Sequence, residues 1–290
     1  MDQLLQVLVA GLKNGSIYAL VALGFTIVYA ATGAINFAQG EFFMLGGMLC
    51  VSFTELGLPL PAAAVAAIAT TAAIGAVFEL LAVRPVAGDD PLRIIMVTIG
   101  GAVVLRQLAL HIFGPDERAL APFTEGASLK ALGVAVELQT LWVWGLTAIA
   151  VVALALLYRK TSFGRAMRAT AIRTDAARLV GVNTGMMVTV AFALAAGLGA
   201  LAGVAVAPLT QTAFFVGAAI GVKGFAAAIL GGIGKPISAV AGGLLLGLLE
   251  SFAAGYLDPA YKDGVALVVL LVVLFVAPQG LLGRARRVKA

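Results

Sequence analysis

Runs of about 20 apolar residues recur along the whole chain, each long enough to cross roughly 30 Å of hydrocarbon at about 1.5 Å per residue. A chain built this way has few folds open to it. With 62% hydrophobic residues, 11% charged residues and a mean hydropathy of +1.07, it lies far outside the range of soluble domains. Its 35 glycines suit close helix packing in lipid, where dispersion contacts take the place of hydrophobic exclusion. The expected fold is all-α: a polytopic helical membrane protein forming one integral-membrane domain over residues 1–290, with room for discontinuous helices.

The apolar runs place the spans. Residues 4–31 are broken by Lys13-Asn14-Gly15-Ser16, so they read either as one long tilted span or as a surface helix followed by a span from Ile17. A short span at 42–56 follows a polar, turn-rich stretch at 32–40. Full spans are expected at 62–83, 94–113, 138–158, 186–207, 237–257 and 265–282, together with a Gly-rich stretch at 214–233 interrupted by Lys223. That makes nine, or eight if one stretch is re-entrant. Asp2, and the lack of a basic region before the first apolar run, predict that no signal peptide is cleaved.

Charge placement orients the spans. The net charge of +5 comes from basic residues beside apolar runs, which is the positive-inside pattern rather than a nucleic-acid footprint. Residues 159–182 hold six of the 19 Lys and Arg residues against one acid, Asp175, and the tail at 283–290 is basic as well. Both belong on the cytoplasmic side, which requires an even number of crossings between them, so 214–233 counts as a crossing. The same parity puts the 84–93 loop inside, the acidic 114–137 loop outside and the N-terminus outside.

Catalytic and metal motifs are missing. The single histidine, His111, and single cysteine, Cys50, exclude multi-His sites and Cys clusters, and Cys50 reads as a small core residue. Gly231-Gly232-Ile233-Gly234-Lys235-Pro236 superficially suggests a phosphate loop. It carries Ile229 where the pattern needs Gly and Pro236 where it needs Ser or Thr, so it reads as a membrane turn.

What remains is ionisable and polar groups at membrane depth. Arg106 and Glu250 fall well inside their spans, where an isolated charge costs about 2.5–3.5 kcal/mol on insertion scales. Either they pair, or share a cluster with Gln107 and His111, or each is satisfied separately near an interface. Glu79 stands near Arg84 at a span end, where snorkelling accounts for it. Asn14, Ser16, Asn36, Gln39 and Glu41 are the densest polar set of the N-terminal half. They read as the lining of a translocation path between discontinuous helices, or as a solvated loop with Asn36 as a cap and Glu41 in a first turn. The translocation candidates are thus Asn14, Asn36, Gln39, Glu41, Arg106 and Glu250. The basic segment reads as a topogenic loop or, from its alanines between Gly164 and Gly181, as a small charged helix that enters a cleft on a cytoplasmic partner.

Several ordered motifs resemble one family. They include Asn14-Gly15-Ser16-Ile17-Tyr18-Ala19-Leu20, Gly33-Ala34-Ile35-Asn36-Phe37-Ala38-Gln39-Gly40-Glu41, Gly164-Arg165-Ala166-Met167-Arg168-Ala169 and Gly181-Val182-Asn183. Further along come Lys223-Gly224-Phe225-Ala226 and Pro278-Gln279-Gly280-Leu281-Leu282-Gly283-Arg284. Across the whole chain the sequence is similar to LivH-type permeases, the membrane subunits of bacterial ABC importers for branched-chain amino acids and related small polar solutes. The resemblance implies an inner-membrane, non-catalytic subunit that itself binds no cofactor. It would work with a second homologous permease, two cytoplasmic ATPases that use ATP and Mg, and a periplasmic solute-binding protein. It also implies an ATPase-coupling segment at 159–185, carried by Gly164, Arg165, Arg168, Arg173, Asp175, Arg178 and Gly181. The contrasting expectations are an ion-coupled secondary carrier and a passive urea or amide channel.

Overall fold

The protein is described from a computed structural model at residues 2–86, 90–124, 126, 128–131, 134–257, 259–277 and 279–282. Gly88 and Asp89 of the 84–93 loop, Glu125 of the acidic loop, Pro278 and the basic tail at 283–290 lie outside the described residues.

Helices dominate. They are α1 (Asp2–Thr32), α2 (Gln39–Glu55), α3 (Leu60–Phe78), α4 (Pro91–Phe113), α5 (Leu138–Lys160), α6 (Ser162–Ile172), α7 (Thr174–Leu179), α8 (Thr184–Thr210), α9 (Val216–Gly231), α10 (Pro236–Tyr256) and α11 (Lys262–Val276). A π-helical turn, Glu79–Val83, extends α3. A two-stranded antiparallel hairpin, β1 (Leu129–Ala131) with β2 (Val134–Val136), sits in the 114–137 connection. Among the described residues six helices are long and apolar enough to cross a membrane; α9 and the apolar part of α11 are shorter. The interrupted stretch at 4–31 is one continuous helix, with Lys13-Asn14-Gly15-Ser16 inside it.

Small residues set the central packing. Gly11, Gly15 and Ala19 on α1 face Gly243, Gly247 and Leu248 on the antiparallel α10, and a Cβ at Gly243 or Gly247 would collide with α1 backbone. The four-residue spacing aligns these positions on one face of each helix, so the backbones approach closely along a seam. Gly46 and Gly203 do the same between α2 and α8. Cys50 is buried with Val51, Ala63 and Ala67, as a core residue.

Helix direction follows from contacts at the ends. Gln3 Nε2 donates to the Gly255 carbonyl at 3.1 Å, so α1 begins where α10 finishes. At the other end, Arg84 reaches the Gly185 carbonyl at 3.0 Å, which brings the start of α8 beside the turn after α3. Leu281 N donates to the Leu230 carbonyl at 2.9 Å, so the chain after α11 returns to where α9 ends. Gly232 and Gly234 have φ of 105° and 93° and turn α9 into α10, which opens on Pro236 at its first position. The phosphate-loop lookalike is thus a glycine turn. At the opposite end Arg118 and Thr212 exchange backbone hydrogen bonds, and the Arg118 side chain pairs with Glu55.

Candidate functional site

Two short helices begin deep within the bundle. Residues 33–38 lead into α2, and Gln39 at its start donates from Nε2 to the Ala195 carbonyl, 2.8 Å away in the middle of α8. Gly24 and Gly199 make the room for the Gln39 side chain. The first turns of α2 and α9 meet at Gly40, Gly217 and Gly221, where no side chain fits between the backbones. Two helix N-termini, each the positive end of a dipole, therefore converge inside the protein. Glu41 lies in the first turn of α2, and its Oε2 would stand 2.7 Å from a Cβ placed on Gly217.

The expected polar stretch at 36–41 is buried rather than solvated: Asn36 and Gln39 are 0% exposed and Glu41 is 2% exposed. Part of the capping expectation stands, since Asn36 Oδ1 accepts from Ala38 N at 3.1 Å in a turn ahead of α2. The N-cap position itself is Ala38. Thr98 of α4 holds this entry segment by accepting from Phe37 N at 3.1 Å. Among the described residues Asn36 Nδ2, Gln39 Oε1, Glu41 Oε2 and Arg106 Nε have no hydrogen-bond partner, so polar capacity is concentrated along this break.

The proposed Arg106–Glu250 pairing is corrected. Arg106 pairs with Glu41, joining α4 to α2, while Gln107 and His111 point to the exposed side of α4. Glu250, 3% exposed, accepts from Lys223 Nζ and from the Tyr18 hydroxyl, both at 2.6 Å. The Lys223 ammonium also lies 5.6 Å from the centre of the Tyr18 ring, within cation–π range. So α1, α9 and α10 are tied by one charged triad. Glu41 and Glu250 thus pair with different cations, one pair joining α2 to α4 and the other α9 to α10. Lys223 was the missed member; a lone lysine interrupting an apolar run was the signal for it.

Glu79 is also more than a snorkelling end group. It is 2% exposed and takes 3.2 Å contacts from Arg84 and a 2.7 Å hydrogen bond from Thr189 Oγ1, which ties the π-helical turn to α8. Asn14, half-buried on α1, lines a cavity of about 390 Å³ together with Tyr18, Gln211, Lys223 and Glu250.

The basic segment forms two short helices. Thr161 caps α6 by accepting from Gly164 N at 2.9 Å, and Gly164 sits so close to Leu157 and Tyr158 that a Cβ there would strike α5 backbone. Gly164, Met167 and Thr170 recur on the buried face, while Arg165 and Arg168 are exposed; Arg168 donates back to the Tyr158 carbonyl. Arg173 caps both α6 and α7 from an exposed position, and exposed Asp175 lies 3.9 Å from Arg178. Arg178 Nε donates to Thr184 Oγ1 at 2.9 Å, and Gly181, at φ 83°, closes α7. Sequence reasoning missed the apolar part of this surface: Ile172, Leu179 and Val180 are 76%, 90% and 77% exposed beside the arginines. Met167, Arg168 and Ala171 also wall a cavity of about 1360 Å³ that reaches Thr26 and Tyr29 on α1 and Lys235 in the glycine turn.

Interrupted helices with buried charge at the breaks are the build of a membrane transport protein. Comparison with known proteins specifies the kind. Residues 7–274 match the family model described as "Branched-chain amino acid transport system / permease component", and the chain belongs to that family. It is 34% identical over 97% of its length to the high-affinity branched-chain amino acid transport system permease protein LivH of Salmonella typhimurium, covering 96% of that protein. The same figures hold for BraD of Pseudomonas aeruginosa. Similarity extends to the autoinducer 2 import system permease protein LsrC of Escherichia coli, 31% identical over 90% of this chain and 76% of that one. The chain is thus a multi-pass membrane permease component.

Proposed function

We propose that this chain is the permease subunit of a bacterial ABC importer that takes up branched-chain amino acids or a related small polar solute, powered by separate ATPase subunits. The observation that carries this reading is the α6–α7 segment. It is anchored rigidly through Gly164 yet offers Ile172, Leu179 and Val180 to a partner beside Arg165, Arg168, Arg173 and Arg178. That surface suits an apolar cleft with an acidic rim on an ATPase. The same helix walls the large cavity, so a push on α6 changes the cavity's shape.

On this reading the α6 end faces the cytoplasm and the start of α1 faces the periplasm of an inner membrane. A second homologous permease completes the path, two ATPases bind and hydrolyse ATP with Mg, and a periplasmic protein delivers the solute. The path in this subunit runs past Asn14, Asn36, Gln39, Glu41, Arg106 and Glu250.

Uptake by proteoliposomes tests the reading. The expected result is accumulation of leucine only when the ATPases, the binding protein and internal ATP are all present. Accumulation driven by an ion gradient without the ATPase identifies a secondary carrier, and downhill flux without either energy source identifies a channel; both outcomes contradict the importer reading.

A further inference from the structure

The turn into α10 carries donors that the helix itself leaves unused. Lys235 stands at the N-cap without a side-chain hydrogen bond, and Pro236 follows it. The backbone N–H groups of Ile237 and Ser238 find no acceptor among the described residues, so the positive end of a 21-residue helix stays uncapped. Lys235, Ile237 and Ser238 all line the 1360 Å³ cavity. A helix N-terminus attracts anions, but alone it defines no site.

The rest of the cavity supplies what is missing. Its described lining holds two cations, Lys235 and Arg168, and no Asp or Glu. Lys235 is exposed and has no ion pair or hydrogen bond among the described residues. Arg168 donates to the Tyr158 carbonyl from one Nη1–H, and its other N–H groups have no described partner. Thr26 is 0% exposed, lines the same cavity and has an unbonded hydroxyl. Thr32, Thr71 and Thr170 each return the hydroxyl to the carbonyl four residues earlier; Thr26 does not.

We propose that this cavity is a binding site for a phosphate monoester. The N–H groups of Ile237 and Ser238 and the Lys235 ammonium hold the phosphoryl oxygens, and Arg168 supplies the second positive charge. Charge balance selects phosphate over carboxylate. A phosphate monoester brings a charge of about −1.5 to −2 and three acceptor oxygens, whereas one carboxylate leaves a cation uncompensated. Ile27, Ile229 and Leu274 give the attached body an apolar wall, and Thr26 gives it a hydroxyl partner. Two sources carry this chemistry: the headgroup of an anionic lipid, which suits a basic pocket between membrane helices, and a soluble phosphate ester. Because Arg168 is on α6 and Lys235 opens α10, the bound anion ties these two elements together.

The test uses the full-length chain in the complex it purifies with, held in phosphatidylcholine nanodiscs. In one arm glycerol 3-phosphate is titrated and its affinity measured. In the other, phosphatidic acid is mixed into the nanodisc and the lipid retained on the complex is counted by native mass spectrometry. Both arms compare wild type with Lys235→Gln at constant ionic strength, because ATPase subunits bind phosphate as well. Lys235 has no side-chain bond to lose, so the variant is expected to assemble and melt as the wild type does without ligand. Its binding is expected to fall about tenfold or more, the loss of a charge-assisted contact. Loss in either arm supports the site, and the arm that shows it names the source. Equal binding by wild type and Lys235→Gln in both arms overturns the proposal. If Lys235→Gln fails to assemble, Thr26→Val decides, since it removes a hydroxyl bonded to no described group. Binding weakened about threefold or more then supports the site, and unchanged binding overturns it. Binding is read without transport, so failure here leaves the importer reading untouched.

Discussion

Reversing Arg165 and Arg168 together to glutamate is expected to abolish ATP-driven uptake, by about a hundredfold or more, while the protein still inserts and folds. The expectation follows from where the two side chains lie. Both are exposed on α6, whose buried face is carried by Gly164, Met167 and Thr170, so reversal leaves the close packing of Gly164 on α5 intact. Only Arg168 has an internal bond, to the Tyr158 carbonyl, and Thr161 keeps the cap without it. Against an acidic rim, two new carboxylates turn attraction into like-charge repulsion, which at an interface costs several kcal/mol. Co-purification of the ATPase and ATP-driven uptake should fall together, while the amount and thermal stability of the membrane-inserted permease stay the same. Retention of both co-purification and uptake removes the coupling assignment.

Arg106→Met is expected to be among the most destabilising changes outside the glycine seam, because it leaves Glu41 buried without its cation. Breaking a buried pair from one side costs about 3–5 kcal/mol, whereas removing both partners is close to neutral. Glu41→Gln combined with Arg106→Met should therefore recover most of the thermal stability in detergent, with a coupling energy of about 3 kcal/mol or more. Glu250→Gln combined with Arg106→Met should be additive, because Glu250 is held by Lys223 and Tyr18 rather than by Arg106. Strong coupling between Arg106 and Glu250, with none between Arg106 and Glu41, would contradict the arrangement of both charge pairs.

Much of the fold was readable because lipid leaves one local rule. Runs expected at 62–83, 94–113, 138–158, 186–207 and 237–257 correspond to Leu60–Val83, Pro91–Phe113, Leu138–Lys160, Thr184–Thr210 and Pro236–Tyr256. Apolar length decides each of these, and it is written in consecutive residues. The breaks were harder. That α2 and α9 start within the bundle depends on Gly40 meeting Gly217, a contact between residues far apart in sequence. For the same reason the charges inside the spans were identified while their partners stayed open between an Arg106–Glu250 pair, a shared cluster and separate satisfaction. Their real partners, Glu41 and Lys223, lie 65 and 27 residues away on other helices. Polarity at 36–41 suggested solvent as readily as a path, because burial of polar residues is set by neighbours and not by the stretch itself. On α6–α7 the arginines stood out, whereas nothing in the sequence marked Ile172, Leu179 and Val180 as exposed.

The most direct measurement is a cross-link from the apolar tip of α7. Cys50 is buried, so a single accessible thiol can be placed with Leu179→Cys on a Cys50→Ala background and coupled to a short photoactivatable reagent. In inverted membrane vesicles carrying the complete complex, illumination is expected to join this chain to the ATPase subunit. Labelling of residue 179 by an impermeant reagent applied outside intact cells, or a cross-link formed with the periplasmic binding protein, would contradict the account.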